Sequence, residues 1–158
     1  MDAEVWPDEQ VSRIVTENFI PARVHPRQDG EKFQQLGERF GALWTPTILF
    51  LDSEGTERHR IEGFLPVPDF LPRLYLGLGH LAFRAENWDE AQKRFQTVLD
   101  QFPQNAAAPE AQYWEGVSRY KKTGSAEVLE QIAAAFEKRY QDSEWAKRAS
   151  VWEPSRRR

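Results

Sequence analysis

The residue types that most often carry out chemistry are sparse in this sequence and lack reactive spacing. There is no cysteine among the 158 residues, and thiol–disulfide exchange requires a thiolate. The three histidines, His25, His59 and His80, lie far apart in the sequence without the spacing of metal ligands. We therefore expect no metal site, no cofactor and no thiol chemistry from the chain's own side chains.

The carboxylates give no better indication of catalysis. Asp8–Glu9 and Asp89–Glu90 stand at the starts of predicted helices, where negative charge favours the helix dipole. The sequence also lacks a nucleophile elbow, a zinc-protease motif and a phosphate-binding loop. We therefore predict no catalytic residues.

Composition and charge limit the classes of partner that the protein can bind. The net charge is −4 and 40% of the residues are hydrophobic, which is typical of a globular domain. The arginines at 156–158 are interpreted as a solvated tail, and no basic patch is interleaved with aromatic residues, so we expect no nucleic-acid partner. No apolar run could span a membrane, and acidic residues follow Met1 where a signal peptide would be apolar. We expect a cytoplasmic protein, unless a targeting segment lies upstream.

The most distinctive segment is Trp44-Thr45-Pro46-Thr47, which enters the apolar run Ile48–Leu51. That run predicts a buried strand. Asp52–Gly55 has the residues of a hairpin turn, and Thr56–Ile61 alternates as the pairing strand, which Gly63 ends. The segment therefore predicts a β-hairpin with proline at its entry.

Three elements are predicted upstream of this hairpin. Asp8 caps a helix over Asp8–Asn18, in which apolar residues recur at helical spacing. Phe19–Val24 is predicted to be a short strand. A second helix, Glu31–Phe40, ends at Gly41.

This order of elements, with Thr-Pro-Thr entering a buried strand, resembles the thioredoxin fold over residues 1–80. The resemblance implies a cis peptide bond between Thr45 and Pro46, in a loop that offers backbone groups to a bound peptide. It thereby implies that Trp44, Thr45, Pro46 and Gly63 bind peptide. A simpler interpretation, in which the proline only fixes a tight turn at a strand start, stays open.

The sequence departs from the family at its central strand and Cys-x-x-Cys, which would lie just upstream of Met1. The chain could be a truncated product, could borrow a strand from a partner or a second copy, or could have lost the element and repacked. We favour truncation. If Met1 is the native start, unpaired backbone groups must be covered. Direct pairing of Phe19–Val24 with Ile48–Leu51, or a loosened sheet, then ranks ahead of a homodimer.

The second half resembles the tetratricopeptide repeat, a helical hairpin of about 34 residues. With Gly79 at the repeat's glycine position, signature positions fall on Tyr75, Leu78, Ala82, Ala91, Phe95, Val98 and Pro103. A poorer repeat follows around Gly116, and a helix that begins at Ser143 is expected to cap the array.

The predicted fold class is α/β plus all-α, an incomplete thioredoxin-like unit followed by tetratricopeptide-type helical hairpins. The expected domains are residues 1–80, residues 70–152, which share helix Phe70–Ala85 with the first, and a basic tail at 153–158. No linker separates the halves, so we expect a rigid junction. The predicted function is a non-catalytic module that binds a polypeptide partner. The alternative is a fragment of a thiol–disulfide oxidoreductase whose Cys-x-x-Cys lies upstream of Met1.

Overall fold

The computed structural model describes residues 1–154, so most of the predicted basic tail lies outside the described residues. The chain divides into two compact units, Met1–Leu74 and Tyr75–Arg158. The elements are α1 (Glu9–Asn18), α2 (Gly30–Phe40), β1 (Thr47–Leu51), β2 (Glu57–Glu62), α3 (Val67–Arg84), α4 (Trp88–Gln101), α5 (Ala108–Thr123), α6 (Ala126–Lys138) and α7 (Glu144–Ala149), then a 3₁₀ turn at Ser150–Trp152. None of the helices in this part of the chain is long and apolar enough to cross a bilayer.

Helices α1 and α2 begin and end as their sequences predict. The Asp8 carboxylate accepts hydrogen bonds from the backbone N–H groups of Gln10 and Val11, both at 3.0 Å. These bonds satisfy donors that the first turn of α1 leaves free. At the end of α2, Gly41 adopts φ 61°, a left-handed conformation that glycine tolerates at no steric cost.

The sheet of the first unit is an antiparallel pair of β1 and β2. Ile48 is opposite Ile61, and Phe50 is opposite His59. Phe50 and Ile61 are buried and lie on the same face, because side chains alternate along a strand. The predicted hairpin is confirmed. The prediction that Ile48–Leu51 is a buried strand is wrong, because Phe50 alone is buried in β1 and Leu51 is 39% exposed.

The prediction of a strand at Phe19–Val24 is wrong. The segment has no strand conformation, and Ile20 is 99% exposed. A strand needs a hydrogen-bonded neighbour, and within the described residues β1 pairs with β2 alone. Pro21 also removes a donor from the middle of the segment. Direct pairing of this segment with β1 is therefore not what the structure has, although the Phe19 ring still packs on Phe50 at 5.4 Å.

The second unit is built from helices that approach closely at two glycines. A Cβ on Gly79 would lie 2.5 Å from Cε1 of Phe95 in α4. A Cβ on Gly116 would overlap the side chain of Ile132 in α6. Two buried clusters fill the unit: Leu76, Ala91, Phe95, Val98, Ala107 and Ala111 in one, and Val128, Ile132, Phe136 and Ala149 in the other.

Candidate functional site

The loop between α2 and β1 meets the end of β2 through a backbone hydrogen bond. The N–H of Gly63 donates to the carbonyl oxygen of Pro46 at 2.8 Å. The Thr45–Pro46 peptide bond is cis. The bond therefore brings Gly63 beside the three residues at the entry of β1, so that all four predicted peptide-binding positions lie at one end of the hairpin.

Large apolar side chains are exposed around this bond. Trp44 is 71% exposed, Leu43 is 90% exposed and Phe64 is 52% exposed. We call this region the cis-proline surface; it consists of Leu43, Trp44, Thr45, Pro46, Gly63 and Phe64. Apolar side chains that cluster on a protein surface mark sites of interaction.

Two short-range contacts fix the path of the backbone through this loop. The Thr47 hydroxyl donates to the Trp44 carbonyl oxygen at 2.6 Å. The N–H of Ala42 donates to the carbonyl oxygen of Gly37 at 3.0 Å, which closes the end of α2. The exposed indole thus rests on a backbone that is hydrogen-bonded on both sides.

Arg60 in β2 joins the end of α2 to the sheet. Its guanidinium donates to the carbonyl oxygen of Phe40 at 2.6 Å and to Glu57 at 2.5 and 2.6 Å. A further bond reaches Glu62 at 2.9 Å. The bonds to Glu57 and then Glu62 raise the pKa of Arg60 above its usual range, so its positive charge is permanent. Arg60 thereby anchors the residue that precedes Gly41 and the cis-proline loop.

Gly63 leaves space beside the proline. Its φ is 84°, and an added Cβ would find no atom within 4 Å. The backbone conformation, and not crowding, is therefore what favours glycine here. Gly63 therefore faces open space on the side where a Cβ would lie.

The side chains of the cis-proline surface are uncharged and mostly apolar. None of its six residues has an acidic or basic side chain, so none can act as a general acid or base near neutral pH. It can offer the backbone groups of Thr45 and the apolar faces of Trp44 and Phe64. An extended peptide with apolar side chains is complementary to that combination.

The sequence predicts four residues of this surface as peptide-binding and does not single out Leu43, Phe64 or the nearby Arg60. Leu43 and Phe64 were missed, although each is adjacent to a predicted site residue. The sequence pattern identifies Arg60 only as part of an alternating strand. The sequence around Arg60 shows only a positive residue near Glu57 and Glu62 in a strand that follows a turn. This pattern is too common in proteins to indicate a structural role.

Comparison with known proteins identifies the first part of the chain. Residues 1–76 match the family model described as a thioredoxin-like domain. No curated protein and no solved structure matches the chain. Residues 1–76 are therefore similar to a thioredoxin-like domain, and the described remainder of the chain is helical.

Proposed function

We propose that this protein is a non-catalytic module that binds an extended polypeptide on the cis-proline surface. The observation that carries the proposal is the exposure of Leu43, Trp44 and Phe64 around the backbone bond between Pro46 and Gly63. Burying a large aromatic side chain on binding is among the strongest contributions an interface can receive.

We further propose that the second unit is a pair of tetratricopeptide-type hairpins. Support comes from Gly79 and Gly116, which sit where neighbouring helices approach too closely for a Cβ. Both are the residues that the repeat pattern assigns to its glycine position. Such hairpins bury their apolar faces against one another and present an extended surface, which fits a module that binds protein.

Titration with an unfolded, alkylated polypeptide tests the binding proposal. The alkylated probe carries no thiol, so only non-covalent binding is measured. Trp44→Ala should weaken binding by about 2 kcal/mol or more, roughly 30-fold in Kd, if Trp44 is a centre of the interface. Ile20→Ala is the matched control, because Ile20 is also exposed and lies outside the cis-proline surface. Equal affinity of wild type and Trp44→Ala would refute the proposal.

The second candidate is a part of a thiol–disulfide oxidoreductase. The thioredoxin-like match over residues 1–76 favours it. Its cysteines would have to lie on polypeptide outside these 158 residues, since the chain has none. The reading frame upstream of the Met1 codon distinguishes the two candidates: a Cys-x-x-Cys encoded in frame just before it favours the oxidoreductase.

A further inference from the structure

One charged residue adjoins the cis-proline surface in the sequence. Glu62 directly precedes Gly63, and no other acidic or basic residue lies within two positions of the six residues of that surface. The Glu62 side chain is 55% exposed. A polypeptide bound beside Gly63 therefore meets an exposed carboxylate next to the apolar side chains.

Strand pairing places the Glu62 side chain close to Trp44. Glu62 is opposite Thr47 in the pairing of β2 with β1, and residues directly opposite each other have Cβ atoms about 4.5–5.5 Å apart. The Thr47 hydroxyl in turn donates to the Trp44 carbonyl oxygen at 2.6 Å. Thr47 alone thus separates the carboxylate from the backbone of Trp44.

Arg60 orients the Glu62 carboxylate without neutralising the charge around it. Nη1 of Arg60 donates to Oε1 of Glu62 at 2.9 Å, and Nε and Nη2 of Arg60 donate to the Glu57 carboxylate. One positive charge therefore faces two negative charges, which leaves a net charge of −1 on these three residues. No group of the described residues donates to Oε2 of Glu62, so this oxygen can accept a hydrogen bond from a ligand.

The charge of the first unit favours the same kind of ligand. Residues 1–74 include 13 aspartates and glutamates and 8 lysines and arginines, a net charge of −5, whereas residues 75–158 have a net charge of +1. An electrostatic field of one sign raises the association rate of ligands of the opposite sign. The local carboxylate and the charge of the unit therefore both favour a basic ligand.

On the basis of the proposed function, we propose that the cis-proline surface selects extended polypeptide segments in which a lysine or arginine neighbours the apolar side chain bound by Trp44. Glu62 is the residue that determines this specificity. A lysine or arginine of the ligand donates to Oε2 of Glu62 while its aliphatic stem lies on the apolar surface. An acidic residue in the same place is repelled by Glu62, and such repulsion excludes the wrong partners.

Titration with three short synthetic peptides tests this preference. The peptides share a central leucine–phenylalanine pair in a glycine–serine background and carry lysine, glutamine or glutamate on both sides of the pair. At low salt, we expect the wild type to bind the lysine peptide about threefold to fivefold more tightly than the glutamine peptide, as an exposed ion pair allows. The glutamate peptide should bind most weakly, and the preference should fade at about 0.5 M salt.

Two variants that remove one negative charge each assign the preference to a residue. Glu62→Gln keeps an oxygen that accepts from Arg60, and its affinities for the lysine and glutamine peptides should agree within about twofold. Glu54→Gln is the matched control. Glu54 is exposed in the turn between β1 and β2, at the other end of the hairpin, so this variant should keep the wild-type preference.

The outcomes separate this proposal from the proposed function. Equal binding of the three peptides, each weakened by Trp44→Ala, overturns the charge preference and leaves the proposed function in place. A preference that Glu62→Gln does not reduce, or that Glu54→Gln reduces as much, overturns the role of Glu62. Failure of every peptide to bind the wild type overturns both proposals.

Discussion

Replacement of Gly79 by alanine tests the close helix contact in the second unit. An added Cβ would lie 2.5, 2.7 and 2.8 Å from three atoms of the Phe95 ring. Carbon atoms in proteins pack at about 3.5–4.0 Å, so the overlap is about 1 Å. Phe95 is fully buried in the cluster around Leu76 and Val98, and its ring therefore has no free space into which it can move.

Two opposing effects set the size of the change. Alanine stabilises a helix interior by about 1 kcal/mol relative to glycine. Overpacking of a filled core costs about 1–3 kcal/mol. An overlap on three ring atoms puts Gly79→Ala near the upper end of that cost. We therefore expect a net loss of about 1–2 kcal/mol in the free energy of unfolding.

Urea unfolding of matched variants measures this loss. Gly30→Ala is the control, because a Cβ on Gly30 meets nothing within 4 Å and alanine there should be neutral or stabilising. The double variant Gly79→Ala/Phe95→Leu completes the cycle. Leucine makes room for the new methyl group, so the two changes should together cost less than their sum, by about 0.5–3 kcal/mol.

The close helix contact at Gly79 is refuted if Gly79→Ala is as stable as Gly30→Ala, or if the two changes in the cycle are additive. Either result would mean that α3 and α4 separate without cost at this point. The helices would then not be held at the distance that the glycine permits, and the repeat-type interpretation of the second unit would lose its main support.

Three further predictions concern Arg60, the partly buried phenol of Tyr113 and the lack of cysteine. Arg60→Lys cannot keep bonds to both Phe40 and Glu57, so the free energy of unfolding should fall by about 1–3 kcal/mol and peptide binding should weaken, as denaturation and titration would show. Burial raises the pKa of the Tyr113 phenol above its usual value of 10.0, and Arg148 opposes this. The stabilisation that the protonated Tyr113 phenol contributes is thus complete below that value and is lost as the pH rises through the raised pKa. Tyr113→Phe should reduce this loss in the free energy of unfolding, as denaturation measured above about pH 10 would show. With no cysteine present, the chain should leave the rate of insulin reduction by dithiothreitol unchanged, and an acceleration that tracks the purified protein would contradict this.

In the first unit, the sequence predicts structure well where a few neighbouring residues determine it, as at the ends of helices. Asp8 caps α1 and Gly41 ends α2, because each effect depends on a few adjacent backbone groups. The hairpin followed in the same way from its turn and its apolar strand.

The failure at Phe19–Val24 has a non-local cause. Its β-forming residues suit a strand, but a strand exists only where another one pairs with it. Composition says nothing of whether that neighbour is present. In the thioredoxin-like resemblance that neighbour is the central strand, which these 158 residues do not contain.

The candidate site was predictable in its backbone and less so in its side chains. The resemblance implied Trp44, Thr45, Pro46 and Gly63, and the bond between Pro46 and Gly63 brings them together. The exposure of Phe64 depends on how the chain leaves β2. That path is set by the positive φ of Gly63, which a sequence pattern does not reveal.

The most direct test of the central claim is to observe the tryptophan indole N–H signals while an unfolded, alkylated polypeptide is added. The chain has six tryptophans, and Trp44 is strongly exposed, whereas the Trp114 indole nitrogen is buried. In a ¹⁵N-labelled sample, the proposed function predicts a saturable shift of the Trp44 signal while that of Trp114 stays in place. Saturable binding that leaves the Trp44 signal unmoved, or no binding at all, would contradict the proposal that the cis-proline surface binds polypeptide.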